Sequence, residues 1–307
     1  MAGVPIDELI RPSIPGEELF HPAEAGRRRF WTILLGNRKF VVGMVIFLAL
    51  GLLALAGGLF VDAEDRRTGA FPARQAPSSE AILGTTTLGQ SVAVQWTQAV
   101  PNSMLVGLIA ATIGTVIGAV VGLISGYFGG KVDAALRVLI DVFLSIPSLL
   151  FLILIASLLR GVGVPTMALI IGLFAWSWPA RAVRSQALSL KERPFVNVAR
   201  LNGMSQIEIV GRELLPHMLT WLGANFLNAF IAAILAESGL SILGLGPQRD
   251  MTLGMMIYWS LSFGAILQNF WWWWLTPVLT LMALFLALYL VHLGLDEVGN
   301  PRLRKHA

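Results

Sequence analysis

The side chains that could do covalent or metal chemistry are few in this sequence, and they do not converge. The four histidines, His21, His217, His292 and His306, are scattered, no His-Glu-x-x-His occurs, and cysteine is absent. Nothing therefore supports a disulfide framework, a thiolate metal site or a helical zinc site. A phosphate-binding loop needs Gly-x-x-x-x-Gly-Lys-Ser/Thr. The nearest phrase, Gly129-Gly130-Lys131, is followed by Val132 and lacks the upstream glycine spacing. Hydrolysis needs a nucleophile held beside a base. No motif singles out Ser241 with His217 or His292, and Gly239-Leu240-Ser241 is no part of a Gly-x-Ser-x-Gly. The expectation is a protein that is not an enzyme and carries no cofactor and no metal.

The remaining polar groups of interest lie inside apolar runs, where ionisable and amide side chains are functional candidates by default. Asp141 falls within one turn of Arg137, which suits a helix-end ion pair better than a proton relay. Asn225 and Asn228 share one apolar run and either line a polar path or bond across helices. Glu237 closes that run, at an outer end where it would reach water. These three, Asn225, Asn228 and Glu237, are the candidates for a translocation path.

Those runs are the elements that must do the positioning. The chain has 307 residues, 56% hydrophobic and only 13% charged, against about 25% charged in a soluble domain. An all-α, polytopic membrane protein follows, since a spanning helix needs ~20 mainly apolar residues. Phe40–Phe60, Ala99–Gly130, Val138–Leu159, Gly161–Ala180 and Leu214–Ala236 each hold one span, and Met251–Leu295 holds one or two.

Charge placement favours six spans. With the N-terminus inside, 17 of the 22 Lys and Arg fall on the cytoplasmic side and five outside; a seventh span would put the C-terminal cluster of Arg302, Arg304 and Lys305 outside. The same asymmetry explains the net charge of +4 and the pI near 9.8 without nucleic acid. The first 39 residues carry Asp7, Glu8, Glu17, Glu18 and Glu24, with a basic anchor of Arg27-Arg28-Arg29 and Arg38-Lys39. A secretory signal begins basic and turns apolar sooner. The division is a cytoplasmic tail 1–39, a first span 40–60, an external segment 61–98, a core 99–295 with five spans and a cytoplasmic loop at about 181–213, and a tail 296–307.

Within the spans, Gly114, Gly118, Gly122 and Gly126 recur every four residues on one face, a spacing that lets helix backbones approach closely. Tight packing inside the chain is the first expectation, a subunit interface the sharper one. Pro147 should kink the third span. Trp271 to Trp274 read as an aromatic belt at the outer start of the sixth span, with a ligand-stacking platform as the alternative. Met251–Gln268 then becomes an outer interfacial or re-entrant segment.

The polar island between spans four and five contains Asn197-Val198-Ala199-Arg200-Leu201-Asn202-Gly203-Met204-Ser205 and runs on to Leu215-Pro216. It resembles the "EAA" cytoplasmic loop of permeases in ATP-binding-cassette (ABC) importers. Other phrases fall in the order found in the second permease of dipeptide, oligopeptide and nickel importers. They are Gly126-Tyr127-Phe128-Gly129-Gly130, Ile146-Pro147-Ser148-Leu149-Leu150, the Leu235 to Gly246 run and Asn300-Pro301-Arg302-Leu303-Arg304. The chain departs from the family with Asn197 for Glu, Val198 for Ala, Thr85-Thr86-Thr87 for an acidic phrase and Gln90 for Arg.

The resemblance implies a six-span, type I importer permease fold. It implies a heterodimer with a homologous permease, two cytoplasmic ABC ATPase subunits and an external solute-binding protein. Residues 196–207 would form a coupling helix that Gly203 ends, with Asn197 as a cap. Asn197, Ala199, Arg200, Gly203, Ser205 and Pro216 would couple it to the ATPases. The implied solute is a peptide, with an oligosaccharide or nickel as alternatives. A stand-alone secondary transporter or channel is the reading from a different class; it would usually bring an inverted repeat or paired broken helices.

Overall fold

The structure is a computed structural model that describes residues 32–299 except 63, 66 and 160. The basic anchor Arg27-Arg28-Arg29, the C-terminal cluster and the Asn300–Arg304 phrase lie outside the described residues, as do Arg66 and Arg160. Among the described residues regular structure is helical, apart from one antiparallel bridge between Thr85 and Ser91. Apolar runs in lipid must satisfy their backbone groups internally, which a helix does.

The helices are α1 (Arg38–Leu59), α2 (Val92–Phe128), α3 (Gly130–Ser145), α4 (Ser148–Leu158), α5 (Val164–Phe174), α6 (Ser177–Leu190), α7 (Pro194–Leu201), α8 (Gln206–Ile242), α9 (Leu253–Ser262) and α10 (Trp271–Gly299). Four of them, α1, α2, α8 and α10, are long and apolar enough to cross a membrane. The pairs α3/α4 and α5/α6, bent by 75° and 42°, bring the number to six if each pair is one span.

Polar side chains start three of these helices. Asn37 Oδ1 accepts the Phe40 N–H at 3.1 Å, Ser91 Oγ the Val94 N–H at 3.4 Å and Thr252 Oγ1 the Met255 N–H at 3.2 Å, each satisfying an orphan donor of the first turn. The second span is longer than expected, beginning at Val92 rather than Ala99. At 37 residues it is about 55 Å long at 1.5 Å per residue.

α2 is the axis of the bundle, with α1, α5, α6 and α8 packed on it. Its glycine face explains how α6 comes so close. A Cβ on Gly118 would lie 2.8 Å from the Trp176 carbonyl oxygen, on Gly122 2.6 Å from that of Ala180, and on Gly126 2.7 Å from that of Arg184. Gly114 meets Ala175 in the same way. The stripe therefore serves packing within the chain.

The third span does not kink at Pro147; it ends and restarts there. α3 closes at Ser145, Ile146 is extended, and Pro147 (φ −60°, ψ 105°) stands just before α4. A proline disfavours helical backbone at the preceding residue, which accounts for Ile146. Asp141 does form an ion pair, but with Arg181 across the α3–α6 contact instead of with Arg137.

The tryptophan run is only partly a belt. Four successive residues step around a helix and cannot share one face. Trp271 is half exposed, while Trp272 and Trp273 are buried. Trp272 Nε1 donates to the Thr85 carbonyl at 3.2 Å, and Trp273 stacks on Phe263. This fastens the 61–98 segment to α10. Thr85 and Thr86, fully buried, organise that segment: Thr85 Oγ1 donates to the Pro72 carbonyl and accepts the Gln75 N–H, both at 2.8 Å.

Candidate functional site

Three sites emerge: a surface segment between α6 and α8, a cavity in the bundle, and a buried polar node at the far end of α8.

The surface segment begins where Arg193 is extended and Pro194 opens α7, a position where its missing N–H costs nothing. Val196 and Ala199 are buried against Val183 and Ala187 of α6, Leu123 and Tyr127 of α2, and Ile209, Leu214 and Met218 of α8. The helix ends as a Schellman motif. Gly203, at φ +78°, donates its N–H to the Arg200 carbonyl at 3.0 Å, and Met204 donates to Ala199 at 3.2 Å. Two residues on, Ser205 and Glu208 form a capping box that starts α8. The Ser205 N–H reaches Glu208 Oε2 at 3.0 Å, and the Glu208 N–H reaches Ser205 Oγ at 3.3 Å. The Arg200 guanidinium lies 5.9 Å from the Tyr127 ring centroid.

The expected helix over 196–207 is thus corrected to 194–201 followed by a turn. Asn197 is no cap: it lies within α7, where its Oδ1 accepts from Arg200 at 3.4 Å. Ala199 faces inward and fixes the attitude of the segment. Pro216 follows a π-helical stretch, Ile209–Leu214, whose first following N–H, that of Leu215, reaches back to Val210. A proline cannot donate in mid-helix, and the wider turn falls immediately before it.

What the sequence reading missed are the outward side chains. Val198, Leu201 and Ile207 are 56%, 87% and 78% exposed. Nothing in the sequence separates them from Val196, Met204 and Ile209 of the same loop, whose side chains turn inward.

The cavity measures about 650 Å³ and is fronted by both helix breaks. Phe143, Pro147, Phe174 and Trp178 contribute apolar walls, Asn225 and Asn228 amide groups, and none of its lining side chains is charged. Asn225 also donates Nδ2 to the Trp221 carbonyl at 3.0 Å. A helix end leaves backbone groups without intrahelical partners, and irregular backbone at membrane depth is tolerated where it lines a cavity.

Glu237 is not on this wall, and it does not reach water. It is fully buried and accepts from Ser241 Oγ and Thr252 Oγ1, each at 2.6 Å, and from Ser238 Oγ at 3.4 Å. Thr252 in turn caps α9. The Leu253 N–H goes to Ser103 Oγ at 2.9 Å and Asn102 Nδ2 to the Met251 carbonyl at 2.7 Å. The node pins α9 to α8 and α2. Beside it, Asp250 Oδ2 accepts the Val164 N–H at 2.8 Å and so caps α5.

The arrangement defines a multi-pass membrane protein with a structured, apolar-tipped loop on one face and a neutral cavity within. Residues 114–305 match the family described as binding-protein-dependent transport system inner membrane component. The oligopeptide transport system permease protein OppC of Mycobacterium bovis is 34% identical over 185 residues, covering 60% of this chain. The match spans 64% of that protein's own length. The dipeptide transport system permease protein DppC of Bacillus subtilis is 30% identical over 270 residues, 88% of this chain and 83% of that one. DppC of Lactococcus lactis is 32% identical over 238 residues, 77% and 68% of the two chains. A chain of the MetNI methionine ABC transporter, solved in inward-facing conformations, is 21% identical with a TM-score of 0.49, covering 64% of this chain and 94% of that one. The chain belongs to the family of inner-membrane components of binding-protein-dependent transport systems.

Proposed function

We propose that this chain is the permease subunit of an ATP-driven importer that moves a peptide across the plasma membrane. In this reading it pairs with a homologous permease, receives its solute from an external binding protein and is driven by two cytoplasmic ATPase subunits that carry the nucleotide chemistry. The observation that carries the reading is the α7–Gly203–Ser205 segment. Its inner face is buried in the bundle, and it offers Val198, Leu201 and Ile207 outward. Aliphatic side chains this exposed in a charged loop call for an apolar cleft on a partner.

Peptide is the solute because OppC and DppC, both peptide-system permeases by name, are the similar proteins. An uncharged cavity also suits a solute whose side chains vary in charge. Trp272 and Trp273 are buried in the bundle and present no stacking face to a sugar ring. Orientation follows from the charges, with both termini and the 181–213 loop cytoplasmic.

The topology has a direct test, since the chain has no cysteine. A Gln206→Cys variant is expected to react with a maleimide only after the membrane is opened. Reaction with an impermeant reagent in intact cells would overturn the orientation. The purified single chain is further expected to show no ATP hydrolysis, and hydrolysis should appear when the ATPase subunits are co-purified with it. Sustained turnover by the isolated chain, free of other subunits, would overturn this division of labour.

A further inference from the structure

α3 meets the bundle by apolar contact only along its second half, where Ile140, Phe143 and Leu144 pack against Ile117 and Val121 of α2 and Trp176 and Ala180 at the start of α6. Ile140 is its one buried side chain among the described residues, while Val132, Val138, Leu139 and Val142 are each at least two-fifths exposed. Its first turn is held by charge. Arg184 of α6 grips Asp133 with a fork, Nε to Oδ1 at 2.5 Å and Nη2 to Oδ2 at 2.7 Å, and Ser125 Oγ of α2 donates to Asp133 Oδ1 at 2.6 Å. Both partners are largely buried, at 21% and 17% side-chain exposure. A bidentate, charge-assisted pair of this kind fixes direction as well as distance. Farther along, Asp141 pairs with Arg181 at an exposed position, where such a pair contributes little by itself. Gly129 and Gly130, at φ +68° and +58°, make the corner that brings Asp133 back beneath α2.

The two joined helices lead to different places. α6 runs through residues 191–193 into α7, and its backbone is locked to α2 along the glycine face. α3 runs to the break at Pro147, which lines the cavity. We propose that the Asp133–Arg184 pair makes α3 part of the rigid body formed by α2, α6 and α7, so that the cavity wall at Pro147 moves as one piece with the coupling segment. Asp133 and Arg184 are positioning residues: they touch neither the cavity nor the outward face of α7. The inference rests on the reading of α7 as the ATPase-docking element.

The test uses the full complex of this chain with its partner permease and ATPases in nanodiscs. Spin labels are placed at Val116 of α2 and Leu150 of α4, both exposed. Double electron–electron resonance then gives the α2–α4 distance in the resting state and after trapping with ATP and vanadate. With Asp133 and Arg184 intact, one narrow distribution is expected in both states. Asp133→Asn should lose it to a wider population. Arg184→Lys, which keeps the charge but not the fork, should lose part of it. The swap Asp133→Arg with Arg184→Asp should recover it.

An unchanged narrow distribution in Asp133→Asn overturns the proposal, as does broadening that the swap does not repair. Should Asp133→Asn fail to assemble, Arg184→Lys decides by the same criterion. ATPase subunits that do not co-purify with the native chain would instead overturn the docking reading. The two failures are therefore distinguishable.

Discussion

Gly203→Asp is expected to reduce coupled uptake by about tenfold or more, the effect of ~1.4 kcal/mol lost at a docking surface. Its level in the membrane should stay near that of the unmutated chain. Gly203 holds φ +78° at the end of α7. A side chain in the left-handed region costs roughly 1 kcal/mol, with Asn and Asp the best tolerated. No atom lies within 4 Å of the position a Cβ would take, so the chain itself accepts the substitution. The loss must come from outside it. The turn at 203 sits between the exposed Leu201 and Ile207, and a carboxylate buried there on docking is heavily penalised.

Gly203→Asn separates the causes, because it bears the same backbone strain without the charge. It should retain much of the uptake, while the external binding protein keeps its ligand affinity in both variants. Full uptake with Gly203→Asp, or a changed solute preference, would refute the assignment of this segment to ATPase docking.

Glu237→Ala should destabilise the fold strongly. It removes the acceptor of the Ser238, Ser241 and Thr252 hydroxyls at a fully buried position. An orphaned buried donor costs ~1–3 kcal/mol. Hydroxyls rotate and find backbone carbonyls, so the net loss is about 2–4 kcal/mol, in the upper range of single substitutions. The measurement is thermal aggregation in detergent. Glu237→Gln keeps a carbonyl oxygen in place and should fall between the two. Retention of native stability by Glu237→Ala would show that the node does not hold α9.

Much of this architecture could be read from the sequence because lipid imposes long apolar runs. The spans were located to within a few residues where the helix obeys only that rule, as in α1. They were misjudged where a local rule intervenes. Ser91 starts α2 seven residues early, because a capping hydroxyl and a helical backbone serve a residue in the headgroup region as well as one in the core. Pro147 divides α3 from α4 rather than bending one helix.

Gly203 was legible as a helix terminator, since few other residues take φ +78° without strain. Asn225 and Asn228 do come to the cavity. Glu237 could not be placed, because its environment is made by Thr252, fifteen residues on and beyond a turn. Asp133 and Arg184 escaped notice for the same reason. They are 51 positions apart, and in the sequence each is merely one of the charges outside a span.

The π-helical stretch Ile209–Leu214 gives α8 a residue of slack. Such a turn absorbs one extra amino acid while the helix on either side keeps its facing. A codon gained or lost elsewhere in the 37 residues of α8 would swing the coupling segment about 100° around the axis relative to Asn225 and Asn228. A codon lost between 209 and 214 would leave both faces where they are. A chain one residue shorter at this point would therefore present the same loop surface on the same side of α8.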